Sequence, residues 1–397
     1  MTFASTWAEL EPIGRNARTG GYRRYAWTDE DAALREWFTA AARARGLDVV
    51  VDRAGNQWAW WGDPDAAPGV VTGSHLDSVP DGGAFDGPLG VVSAFLALDA
   101  LRARGFTPSR PIGVTNFGDE EGARFGVACA GSRIITGQLD ADRARGLRDA
   151  DGVPMAEAMT RAGHSPAALG RDEEALRRVG SYVELHVEQG RRLVDLGRPV
   201  AVGSSIWPHG RWRLDLTGEA NHAGTTRLAD RDDPMLRLAA VITAARQEAQ
   251  ARGCVATVGK VQVTPNGVNA IPSAVTAWLD ARGSDEAAVR AVAAAVGGVG
   301  GGATEESFTG ATAFDPALVA RVAALLDDAP VFGTGAGHDA GTLVTAGIPS
   351  VMLFVRNPTG VSHSPAEFAE QADCLAGVDA LATVLADLAG APGGPPQ

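Results

Sequence analysis

Apolar and polar positions follow two rhythms along the chain. Residues 28–45, TDEDAALREWFTAAARAR, open with Thr28 as a cap and acids in the first turn, and close on a basic turn before Gly46, which predicts a helix. Residues 47–52 and 57–61 form a hairpin through Arg53-Ala54-Gly55-Asn56, and residues 70–74 make the next strand. A helix rich in Ala, Leu and Val at 89–104 and a strand at 110–117 follow. Short helices at 130–137 and 156–162, joined by an Arg/Asp-rich surface segment, precede a strand at 181–189. Around Gly203 the character changes. A strand at 211–217, an Ala-rich helix at 234–252, strands at 254–263 and 273–282, a helix at 285–295 and a strand at 303–313 give the order β-α-β-β-α-β of a ferredoxin-like unit. The chain returns with a helix at 314–327, a strand at 350–355 and a helix at 374–388, ahead of a Gly/Pro tail expected to fray.

The expected class is therefore α/β. Residues 1–202 and 314–397 form one discontinuous domain with a mostly parallel sheet flanked by helices, and 203–313 form an inserted α+β domain. A length of 397 residues suits two domains. With 45% hydrophobic and 21% charged residues, the chain is a compact enzyme or a large binding protein rather than a disordered one. The formal charge of −13, without a dense Lys/Arg cluster, argues against nucleic acid or an anionic membrane as partner. Cys129, Cys254 and Cys374 are odd in number and far apart, so neither a disulfide framework nor a thiolate zinc site is indicated. Residues 1–18 lack the apolar core of a secretory signal, and no run reaches about 18 apolar residues, so a soluble cytoplasmic protein is expected.

The chemistry concentrates where strands end. Residues 70–90, VVTGSHLDSVPDGGAFDGPLG, run from an apolar strand into His75, Asp77 and, on a Gly/Pro-rich loop, Asp86. His75 can offer an imidazole nitrogen to a metal, Asp77 is placed to accept the other ring N–H, and the two oxygens of Asp86 could bridge two ions. Either acid could equally cap a turn. After the strand at 110–117 come Asp119-Glu120-Glu121, at the strand end where open α/β sheets hold ligands. Adjacent glutamates project differently and could divide metal binding from proton transfer, or both could be solvated surface. In SYVELHVEQ, Glu184, His186 and Glu188 alternate onto one face, which makes His186 a further candidate ligand.

In this order GSHLDSVPDGGAFDGPLG, DEEGARF, ELHVEQG, GEANHAGTTR, NGVNAIP, GAGHDA and GVSHSPAE resemble the hydantoinase/carbamoylase amidases, a branch of the M20 metallopeptidase superfamily. That branch includes N-carbamoyl-L-amino-acid hydrolases and allantoate amidohydrolases. The resemblance spans about residues 13–388. It implies two divalent ions per subunit, Zn²⁺ or Mn²⁺ with Co²⁺ or Ni²⁺ as substitutes, one held by His75 and His186, the other by Glu121 and His363, with Asp86 bridging. It implies Glu120 as general base and proton donor, and Asp77 as the orienter of His75. The 203–313 domain becomes a lid and dimerisation domain. Its His222 would stabilise an oxyanion across a homodimer, and Asn269 and Arg282 would grip a small carboxylate substrate, with Gln189 and Gly360 near it. The implied reaction is hydrolysis of a ureido or carbamoyl amide. N-formyl or other N-acyl amino acids on the same scaffold, a peptidase (disfavoured by His186, where peptidase relatives place a carboxylate) and a non-catalytic binding protein are the alternatives. FVRNPTGVSHSP and SIWPHGR depart from the family pattern, which places Trp207, Arg211 and Asn357 at the substrate's variable end.

Overall fold

A computed structural model describes residues 2–390. The tail from 391 onward, where fraying is expected, lies outside the described residues. The chain divides into two compact units, one of Met1–Ser204, Ala313–Phe332 and Gly337–Gln397, the other of Ser205–Thr312 and Gly333–Ala336.

The first unit is built on a sheet whose centre is four parallel strands in the order Ile112–Phe117, Gly69–His75, Val179–Val187 and Ser350–Val355. These strands are buried along almost their whole length, as parallel strands covered on both faces must be, which is why apolar residues dominate them and the few polar ones are buried too. The hairpin of Asp48–Val51 and Gln57–Trp61 extends one side antiparallel. On the other side lies Val200–Ile206, with which Thr312–Ala313 and Val331–Thr334 also pair.

Helix Pro88–Ala103 packs on the strands beneath helix Gln371–Ala389 and is buried on nearly every face, so its sequence is uniformly apolar rather than amphipathic. Helix Asp29–Ala44 is a surface helix by contrast. Thr28 Oγ1 accepts the Asp31 N–H at 3.4 Å, Asp31 pairs with Arg35 at 2.9 Å, and Leu34, Phe38, Ala41 and Ala42 form the buried stripe. Because the four central strands run the same way, the residues that end them or follow them emerge at one edge of the sheet. His75, the 118–121 turn, His186 and the loop after Val355 therefore start from one place.

The second unit holds an antiparallel sheet in the order Thr304–Thr309, His209–Thr217, Ala274–Arg282, Val255–Thr264. Strict alternation of burial along Ala274–Arg282 puts Val275, Ala277, Leu279 and Ala281 against Leu238, Val241, Val289, Val292 and Val296 of helices Pro234–Ala251 and Glu286–Gly300. Trp278, Asp280 and Arg282 consequently share the opposite face of the sheet.

Some details differ from the sequence pattern. The strand expected at 303–313 stops at Thr309, and after Gly310 and Ala311 the chain forms Thr312–Ala313 in the larger sheet. The helix expected to end at 295 runs to Gly300 because its buried stripe continues through Val296. Helix Phe3–Leu10, closed by a reciprocal Thr2–Ser5 cap, and helix Asp339–Thr345 have no counterpart in the expected elements. Among the described residues no helix is long and apolar enough to cross a membrane.

Gly73 tests the packing of the parallel strands. It sits at φ 140°, and an added Cβ would lie 2.1 Å from the Thr115 carbonyl oxygen. Gly73→Ala is expected to cost about 3 kcal/mol or more, read as a lower urea midpoint at unchanged slope.

Candidate metal centre

Three imidazoles converge on Asp86. His186 Nε2 lies 3.2 Å from Asp86 Oδ1, and His75 Nε2 lies 3.8 Å from the same oxygen. His363 Nε2 lies 3.2 Å from Asp86 Oδ2 and 3.7 Å from Glu121 Oε2. Two donor groups result, one of His75, Asp86 and His186, wholly buried, the other of Asp86, Glu121 and His363, which opens to solvent at His363. The Asp86 loop can come this close to the His75 ring only because residue 87 is glycine. At φ 87° an added Cβ would meet the ring at 2.4 Å.

The donor chemistry fits divalent cations. His75 Nε2, His186 Nε2 and Glu121 Oε1 are buried and make no hydrogen bond, an arrangement that proteins otherwise avoid. The other ring nitrogens are occupied. His186 Nδ1 is 2.9 Å from the Val187 carbonyl and His75 Nδ1 is 3.2 Å from the Asp77 carbonyl, so each can donate there and leave its Nε2 lone pair free. Carboxylates outnumber cationic side chains in this region. Burial, then Asp86, pushes Glu121 up to about 7, and burial, despite His75, pushes Glu120 well above the usual range. Burial also works against charge on Asp86, but His186 and His363 hold its carboxyl well below that range. Imidazole and carboxylate donors with a deficit of positive charge suit Zn²⁺ or Mn²⁺.

Asp77 does more than face His75. Its carboxylate accepts the N–H of Glu120 at 3.2 Å and of Glu121 at 3.0 Å, while Oδ1 is 3.4 Å from His75 Nδ1, farther than Asp77's own carbonyl. It thus fixes the backbone of the acidic pair. Asn56 Oδ1 anchors the same turn by accepting the Gly118 N–H at 2.9 Å. Glu120 is buried with Oε2 3.7 Å from His75 Nε2. Gln189, expected at the substrate, donates to Asp86 Oδ2 at 3.0 Å and lies 3.3 Å from His363 Nε2. Gly360 belongs to a turn set by Asn357, whose Oδ1 accepts the Thr359 and Gly360 N–H groups and whose Nδ2 donates to the Val361 carbonyl. Asn357 is fully buried in that role.

The remaining expected site residues lie in the second unit. His222 pairs in register with Ala270, so its neighbour Asn269 lies close to it, and both are exposed. His222 Nδ1 accepts the Gly224 N–H at 3.0 Å. Arg282 is held by Asp280 through Nε at 2.7 Å and Nη2 at 3.1 Å, and its Nη1 donates to the Gly335 carbonyl at 2.9 Å. The Trp207 backbone N–H donates to the Thr334 carbonyl at 2.8 Å, and the Trp207 ring lies against Gly333 and Gly335.

Glu367 and His338 escaped sequence reasoning. Glu367 accepts the Phe85 and Asp86 N–H groups at 2.8 and 2.9 Å and the Ser362 hydroxyl at 3.0 Å, tying the loop of Asp86 to that of His363. Its signal was the acid closing GVSHSPAE. His338 meets the His186 ring edge-on with centroids 4.5 Å apart, and burial, then His186, keeps it neutral. The next residues continue the support. Asp339 accepts the Ser132 hydroxyl at 2.5 Å, and the Ala340 N–H donates to Glu184 at 2.9 Å.

The chain is similar over most of its length to known proteins. The sequence profile of peptidase family M20/M25/M40 matches residues 71–387. The N-carbamoyl-L-amino acid amidohydrolase of Geobacillus stearothermophilus is 37% identical, covering 94% of both chains. The allantoate amidohydrolase of Escherichia coli (strain K12) is 31% identical over 93% of both. The crystal structure of a hydantoinase/carbamoylase family amidase from Burkholderia multivorans superposes with a TM-score of 0.85, at 31% identity and with 98% of each chain covered. The chain belongs to peptidase family M20/M25/M40. It is a hydrolase with the mixed α/β architecture of that family, whose members are generally dimetal-dependent.

Asp77→Ala would leave the Glu120 and Glu121 N–H groups buried without an acceptor. In the metal-free protein a loss of about 2–4 kcal/mol is expected from urea denaturation, with a smaller loss for Asp77→Asn, which keeps one acceptor oxygen. An unchanged midpoint for Asp77→Ala would mean that the acidic turn does not depend on it.

Proposed function

We propose that the protein hydrolyses the ureido C–N amide bond of a small carboxylate substrate, allantoate or an N-carbamoyl-L-amino acid, with release of ammonia and carbon dioxide. The chain is an amidohydrolase acting on linear amides, as its full-length relatives are. The observation that carries the reading is the pair of donor groups sharing Asp86 with Glu120 alongside. In this proposal His75, Asp86 and His186 would hold one divalent ion and Asp86, Glu121 and His363 the other. Such a pair of ions supplies Lewis acidity toward a carbonyl and lowers the pKa of water.

Glu120 takes the proton of the attacking water as the new C–O bond forms at the ureido carbon. It then gives that proton to the departing nitrogen as the C–N bond breaks. The carbamate left behind loses carbon dioxide to give the amine. His222 donates a hydrogen bond to the developing oxyanion in the neighbouring subunit of a homodimer formed through the second unit. Asn269 and Arg282 bind the substrate carboxylate, Arg282 through donors not already given to Asp280 and Gly335. The second unit acts as a lid that excludes water during turnover. Activity is assigned to the cytoplasm, where thiols such as the three free cysteines persist.

The test is to load the protein with Mn²⁺ or Zn²⁺, incubate it with allantoate and N-carbamoyl, N-formyl and N-acetyl amino acids, and follow each by mass spectrometry. Loss of a ureido compound is expected, whereas loss of only formyl or acetyl compounds would overturn the substrate class. Glu120→Gln is expected to bind the same metal complement and to lose at least about a thousandfold in kcat. Near-normal turnover would remove Glu120 from the proton path.

A further inference from the structure

Glu120 is gripped at three points. Its N–H donates to Asp77 Oδ1 at 3.2 Å, its carbonyl accepts the Cys129 N–H at 2.5 Å, and its Oε1 lies 3.2 Å from Cys129 Sγ, within reach of the thiol proton. Two of the three grips come from one residue, nine positions along the chain. Cys129 is placed for this by its backbone. It adopts φ 53°, a left-handed conformation uncommon for a side chain other than glycine or asparagine, immediately before helix Ala130–Thr136. Its side chain is buried and in no disulfide. Burial and the neighbouring Glu120 keep the thiol protonated, so it acts as donor and the carboxylate as acceptor.

We propose that Cys129 is a positioning residue for the reaction: its S–H engages Glu120 Oε1 and turns the other oxygen, Oε2, toward His75 and the donor groups around Asp86. Oε2 is 3.7 Å from His75 Nε2, so the carboxylate is oriented with one oxygen on sulfur and one toward the place where the substrate reacts. A serine hydroxyl could donate in the same way, whereas alanine would leave the carboxylate free to rotate. The inference rests on the proposed role of Glu120 as proton carrier, but the contact itself can be tested without turnover.

Two measurements decide it. In the infrared, the S–H stretch of Cys129, identified as the band lost in Cys129→Ala, should lie at lower frequency than that of a free thiol and move up in Glu120→Ala. The same frequency in both proteins would overturn the bond. On whichever amide the wild type hydrolyses, Cys129→Ala should lower kcat roughly 3- to 10-fold at unchanged KM and unchanged bound metal, and Cys129→Ser should recover most of it. A wild-type kcat in Cys129→Ala, a Cys129→Ser variant as slow as Cys129→Ala, or a change in KM or metal content would each overturn the role. If the wild type turns over no ureido compound, the substrate reading fails, while the infrared arm still decides the Cys129 contact.

Discussion

Asp86 has to aim its two oxygens in different directions while buried, and much of the first unit serves that geometry. Glu367 accepts its backbone N–H, Gln189 and Ser362 donate to its Oδ2, and Gly87 removes the side chain that would collide with His75. Gln189 and Ser362 reach the carboxylate from distant parts of the chain, so it cannot swing away without breaking its contacts to them. A buried acid would ordinarily lower its cost by taking up a proton. Here His186 and His363 oppose that, and the charge is kept between the two candidate donor groups.

The parallel sheet supplies the second condition. Its central strands are buried from end to end, and the polar side chains of the donor groups lie at or beyond strand ends on the same edge. The antiparallel sheet of the second unit works by the other rule, with one face given to packing and the other left to polar side chains, which is how Asp280 and Arg282 come to lie on the face turned from its helices.

This division also explains what could be read from the sequence. Apolar runs ending in His75, in the 119–121 acids and near His186 announce strand ends, and the order of the motifs named His363 as a companion; the structure brings their side chains together around Asp86. What could not be read is direction. Residue type does not say that Asp77 turns to two backbone N–H groups, that Asn357 closes a turn, or that Glu367 reaches back 281 positions to Asp86. Val200–Ile206 and Val331–Thr334 were missed as well; the second has only four residues, too few for periodicity alone to identify it.

The Gly333–Ala336 segment carries a further consequence. Because it belongs to the second compact unit although it follows Phe332 of the first, that unit is encoded in two separate stretches of the gene. Residues 205–312 taken alone would lack the Gly335 carbonyl that accepts from Arg282 and the glycines against which the Trp207 ring rests. The second unit is complete only with both stretches, the shorter of which leads into His338.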